Sequence, residues 1–308
     1  MSLHLLGHID LPASLGQGGF DHAAIHRVAR KLYVAHTAND AVDVIDLDAG
    51  LYAYSIGLLK GVAGALVHEA SDLLFTSNRG ENTVAAFSAI SGEPLSRIAV
   101  GARPNGLAYD PERGTLLCAN VGDPGIAVPP SVTLVDTRSQ TVIADIVMPG
   151  RTRWAIYDAE QRVFFVNIAD PPQIVVIDPS QREPIANRIQ VPFRGPHGLE
   201  LDPQRRRLYC ACDEGCLASL DSRSGELLGA LPPSGAPDVV FLNQALGHFY
   251  VAIGDPGVID VIDVASWVKV ETTTTELGAH TIAMDDSANR TYAFLPGTHR
   301  ASVYEDRP

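Results

Sequence analysis

Seven positions, spaced 42, 42, 48, 44, 41 and 42 residues apart, carry much of the chain's chemical capacity: Asp21, Ala63, Asn105, Arg153, His197, Asp238 and His280. If the chain closes into a ring, His197, Asp238, His280 and Asp21 become neighbours. Imidazole and carboxylate together suit a divalent cation, with zinc, manganese, magnesium and calcium all admissible. Such an ion would polarise a carbonyl or activate water. Across the ring, Arg153 offers a planar fork that fits a carboxylate or phosphate, and Asn105 a hydrogen bond to the same ligand. His22 beside Asp21, and His36 nearby, are expected to move protons, with His299 touching the substrate.

What must position these residues is a repeat. Seven segments share an apolar or aromatic pair followed by small strand residues: 32–35, 74–77, 116–119, 164–167, 208–211, 249–252 and 291–294. Each is followed by a second strand-like run that ends on a polar residue, as in Val44-Ile45-Asp46 and Val261-Ile262-Asp263. The two anchors lie 13 residues apart in five repeats, 12 in the fifth and 19 in the third. Counting back 12 residues from each first anchor gives the seven positions named above. Five repeats then place Asp or Asn five residues on (Asp110, Asp158, Asp202, Asn243, Asp285), at a turn; His26 and His68 stand there in the other two.

Four short strands with turn chemistry between them make a propeller blade, and one blade cannot bury both of its faces. The expected fold is therefore all-β: one seven-bladed β-propeller over residues 1–308, with four antiparallel strands per blade. The last repeat stops after three strands, whereas the chain begins with an orphan strand at 4–11. That N-terminal strand is expected to complete the seventh blade. The counted positions then line one mouth of an axial channel, with the loops between second and third strands on the same face.

The Tyr-Val-Ala signature (Tyr33-Val34-Ala35, Tyr250-Val251-Ala252) followed by Val-Ile-Asp resembles the YVTN-repeat group of seven-bladed propellers. The resemblance covers essentially the whole chain. It implies a binding protein or a lactonase- or lyase-like enzyme with its site at this mouth. Neither Trp stands in a Trp-Asp pair, which disfavours a WD40 scaffold.

Composition narrows the classes. Lys+Arg total 23 against 36 Asp+Glu, a formal charge of −13, which excludes a general nucleic-acid binder. No apolar run is long enough for a membrane span. The start, Met1-Ser2-Leu3-His4, shows no secretion signal, so a cytoplasmic location is expected, or a periplasmic one if a leader has been removed. Cys118, Cys210, Cys212 and Cys216 lack zinc-ribbon spacing and are expected to be free thiols in strands. The extra residues of the third repeat, 122–130, form a loop whose Ile126 and Val128 can cover a ligand. Gly16-Gln17-Gly18-Gly19 is read as a linker, not a dinucleotide loop, and no P-loop, GxSxG or HExxH occurs.

The expected activity is thus a metal-dependent lyase or hydrolase, lactonase-like, acting on a small anionic or cyclic substrate. The alternative is a non-catalytic propeller that binds a small ligand or a protein. Either would act as a monomer or weak homo-oligomer.

Overall fold

A computed structural model describes residues 2–307. They form 28 strands in seven four-stranded antiparallel sheets, with three single-turn 3₁₀ helices. In six blades the strand order follows the sequence; in the seventh it runs Ser2–Asp10, Arg300–Arg307, Arg290–Leu295, Ile282–Asp285. The N-terminal strand thus closes the ring as its sequence implies. Its Leu3 and Ile9 are buried, and the Leu3 amide donates to Glu271 of blade 6 at 3.0 Å.

The repeat anchors fall in one register. Tyr33, Phe75, Leu117, Phe165, Tyr209, Tyr250 and Tyr292 pair opposite Ala24, Leu66, Ala108, Ile156, Glu200, Phe241 and Ala283 on the innermost strands. The second strand of each blade lies between two sheets and is nearly all buried, which explains its unbroken apolar run. The fourth strands, such as Leu51–Ile56 and Val268–Thr274, alternate exposed and partly buried residues at the rim.

The recurrent Asp and Asn cap the turn after the innermost strand. Asp110 Oδ1 accepts from the Glu112 and Arg113 amides at 3.0 and 3.2 Å, and Asp158 Oδ1 from those of Glu160 and Gln161. In blade 1 a histidine does the same work: His26 Nδ1 accepts from the Ala29 amide at 3.1 Å. All four cysteines are buried and free, as expected. Burial pushes the Cys118 and Cys216 thiols up, which makes them poor nucleophiles.

Candidate functional site

At the start of the innermost strands the chain bulges. Between Phe20↔His36 and Ala23↔Val34, two residues, Asp21 and His22, oppose one. The same happens at Asn105-Gly106, Arg153-Trp154 and His197-Gly198. In blades 3 and 5 the second residue of the bulge is a glycine that faces the next blade. A Cβ on Gly106 would lie 2.4 Å from the Arg153 carbonyl oxygen, and one on Gly198 2.2 Å from that of Asp238. Blades 1 and 4 carry His22 and Trp154 there instead. These rings meet at 4.1 Å between centroids and form a partition across the channel.

Above this partition lies a polar network. Arg153 Nη1 donates to His197 Nε2 at 3.1 Å and Arg153 Nη2 to Asp213 Oδ2 at 3.0 Å. His197 Nδ1 donates to Asp213 Oδ1 at 2.8 Å, and Asp238 Oδ1 lies 3.2 Å from His197 Nε2. Arg79 Nη2 donates to Asn105 Oδ1 at 2.8 Å and approaches Asp21 Oδ2 at 3.5 Å. Burial acts to raise the Asp213 carboxyl, but the His197 hydrogen bond and the charges of His197, Arg153 and Arg151 outweigh it and hold it low. His22 is also shifted down, which for an imidazole favours the neutral form. Burial keeps its imidazole below the ordinary value despite the carboxylates of Asp21 and Asp238.

Arginine is concentrated on blades 2 to 4. Arg151 lies below its ordinary value, first through burial and then through repulsion from Arg153, Arg103 and Arg79. Arg103 and Arg151 have no side-chain hydrogen bond or ion pair among the described residues. Arg79 Nε and Arg153 Nε are buried donors with no partner. An orphaned guanidinium donor is costly, of the order of 1–3 kcal/mol or more. Together these groups form an arginine-rich corner in a chain of net charge −13.

The sequence grouping is therefore partly redrawn. Asn105, Arg153, His197, Asp238, Asp21 and His22 do share one mouth. Among the described residues no three His, Cys, Asp or Glu side chains, the expected ligands Asp21, His197, Asp238 and His280 included, are gathered as the ligand set of an ion. The reason is electrostatic and local. Arg153 donates into His197 Nε2, Arg79 stands beside Asp21, and His280 Nδ1 faces the Gly278 carbonyl at 2.8 Å.

His36 is enclosed within blade 1. Its side chain is wholly buried, with Nδ1 2.7 Å from Asp43 Oδ2 and Nε2 3.2 Å from Ser14 Oγ. This has the order of a nucleophile, base and orienting acid. Equivalent positions elsewhere argue for a clasp. In blade 3, Thr133 accepts from the Gly101 amide and from Asn120 and donates to Asp145. In blade 6, Asp260 accepts from Ser234 and Thr272. Each network ties the loop entering a blade to that blade's third and fourth strands. His299 belongs to the blade 1 clasp, its Nδ1 3.4 Å from both the Ser14 amide and Ser14 Oγ, rather than to the arginine corner. In the blade 3 loop Ile126 is 71 % exposed.

Arg79 and Asp213 were legible only as loop polar residues. Their signal was position, since both follow a second strand and point back to the mouth. Trp154 and Arg151 gave no signal beyond adjacency to Arg153.

Below the partition the channel opens into a cavity of about 860 Å³ that reaches the opposite face. Its walls include Ala24, Leu66, Ala108, Ile156, Trp154, Phe241 and Glu200.

No protein-family model matches the chain, nor does any curated protein. Solved structures do resemble it. A chain of Kuenenia stuttgartiensis hydrazine synthase is 13 % identical with a TM-score of 0.81, over 96 % of each chain. A chain of the mitotic checkpoint complex is 11 % identical with a TM-score of 0.83, over 100 % of this chain and 93 % of that one. At such identity the likeness extends to the fold alone.

Proposed function

We propose that the protein recognises a small molecule bearing a carboxylate or phosphate at the mouth formed by blades 2 to 5. The carrying observation is the pair of buried, unpartnered Nε donors on Arg79 and Arg153, beside the unpaired guanidinium groups of Arg103 and Arg151. A bidentate anion would satisfy donors that the protein itself leaves open. The His197–Asp213 pair stands against Arg153, so an anchored ligand has an oriented imidazole beside it. Asp213 fixes the ring, and Nε2, which accepts from Arg153, is freed for a lyase or hydrolase proton transfer when the ligand draws the Arg153 guanidinium to itself. This keeps the anionic substrate and the lyase or hydrolase class expected from the sequence, moves the proton-transfer role to His197 and omits the metal. Kinship with the YVTN-repeat group rests on the repeat residues and is part of the same proposal.

Calorimetric titration with inorganic phosphate and with malonate, at low salt, tests it. The expected result is saturable binding, weakened about tenfold or more in Arg79→Met and in Arg153→Met. His197→Asn should retain the anion. No binding of either probe at millimolar concentration, or equal binding by both arginine variants and wild type, would overturn the reading.

A further inference from the structure

The axial cavity beneath the His22–Trp154 partition is a second, chemically opposite site. Six innermost strands contribute wall residues at one register: Ala24, Leu66, Ala108, Ile156, Glu200 and Phe241. Five are apolar and one is a carboxylate. In register Glu200 sits opposite Tyr209, where every other blade places an apolar residue. Its hydrogen bonds come from backbone amides, Leu201 at 3.0 Å and Leu242. Among the described residues it has no cationic partner.

A carboxylate held in an apolar wall is normally destabilising unless something compensates its charge. The surroundings favour a cation. Trp154, Tyr109, Tyr157 and Phe241 line the same space, and aromatic faces attract ammonium groups. Among the lining residues the open end carries Glu69, Asp158, Glu160 and Asp286 against Arg27, which is already paired with Glu69 and Asp286, while Glu160 also pairs with Arg223. His22 and His68 are the remaining titratable wall groups besides the tyrosines. An acidic rim raises the local concentration of cations and repels anions.

We propose that this channel binds a small organic ammonium ion with an apolar body, entering from the face opposite the arginine corner. The ammonium group sits on the Glu200 carboxylate, and the apolar body lies against Phe241, Ile156 and the Trp154 face. Burial pushes the free Glu200 carboxyl up to about 7, so an arriving cation would find it near its ionisation midpoint and would favour the charged form.

The test uses the full chain and three probes of one shape: benzylamine, benzyl alcohol and benzoate, titrated by calorimetry near pH 8. Benzylamine should bind at one site, at least about tenfold tighter than the alcohol, and benzoate should not compete for that site. Glu200→Gln should reduce benzylamine affinity about tenfold or more and leave the alcohol unchanged. Ala108→Phe, which fills the channel, should remove both while phosphate binding at the other mouth persists. Equal affinity for amine and alcohol, unchanged benzylamine binding in Glu200→Gln, or no benzylamine binding at millimolar concentration would overturn the proposal. Far-ultraviolet circular dichroism of each variant separates loss of binding from loss of fold. Phosphate titration of the same samples keeps failure here distinct from failure of the anion reading.

Discussion

Glu200 and His36 show how burial assigns opposite duties to single side chains. Glu200 is enclosed by protein yet faces open channel, and its pKa rises from 4.5 to about 7 because burial disfavours the charged form. Between those values the folded state holds more protons than the unfolded one, so the group's stabilising contribution is present below about 4.5 and is lost as pH rises towards 7. The difference in thermal midpoint between wild type and Glu200→Gln is expected to move against wild type from pH 5 to pH 8. A constant difference over that range would refute the assignment. His36 has no such freedom. Its buried bonds to Asp43 and Ser14 hold a loop, and His36→Ala would leave the Asp43 carboxylate buried with one of its donors gone.

The bulge at the head of the inner strands of blades 1, 3, 4 and 5 is the element on which the site depends. It sets two consecutive residues opposite one, and the second is a glycine against the next blade in blades 3 and 5 and an aromatic ring in blades 1 and 4. Gly198→Ala would push a methyl to 2.2 Å from the Asp238 carbonyl oxygen, in the backbone that carries a site carboxylate. A loss of about 1–3 kcal/mol in urea unfolding is expected, with displacement of Asp238 visible as altered phosphate binding. Gly57→Ala is the control, since nothing lies within 4 Å of its added Cβ; it should be neutral or slightly stabilising. Strand alternation was readable in the sequence, but the bulge was not. A two-for-one register exists only relative to a partner strand, so Asp21 and His22 read simply as adjacent residues.

For the whole molecule, ring closure couples the termini. The strand Ser2–Asp10 pairs with Arg300–Arg307, and Leu11 N donates to the His299 carbonyl oxygen at 2.9 Å. Removal of residues 1–10 would expose the edge of the Arg300–Arg307 strand and uncover Leu3 and Ile9 contacts in two blade interfaces. The truncated chain is expected to lose its cooperative thermal transition or to self-associate, and a peptide of residues 2–11 added in trans should restore part of the lost stability. An unchanged, monomeric transition would show that closure contributes little. No helix among the described residues is long and apolar enough to cross a membrane.

The period of the repeat, the number of blades, the strand order and the register of the anchors were all determined by the sequence alone. Each is a one-dimensional pattern, set by where Tyr33 to Tyr292 and the turn-capping aspartates recur. The mouth was legible for the same reason, since Asp21, Asn105, Arg153, His197 and Asp238 occupy equivalent repeat positions. What tertiary structure decided was which charges meet. Arg79 and Asp213 arrive from loops whose direction no periodicity encodes, and they convert a row of metal-competent residues into a guanidinium–carboxylate network. It also decided that the channel is divided, because a histidine from blade 1 and a tryptophan from blade 4 touch only across a closed ring. Periodicity fixes a residue's place within a blade, but charge pairing and cavity shape depend on distances between blades, which only the folded ring sets.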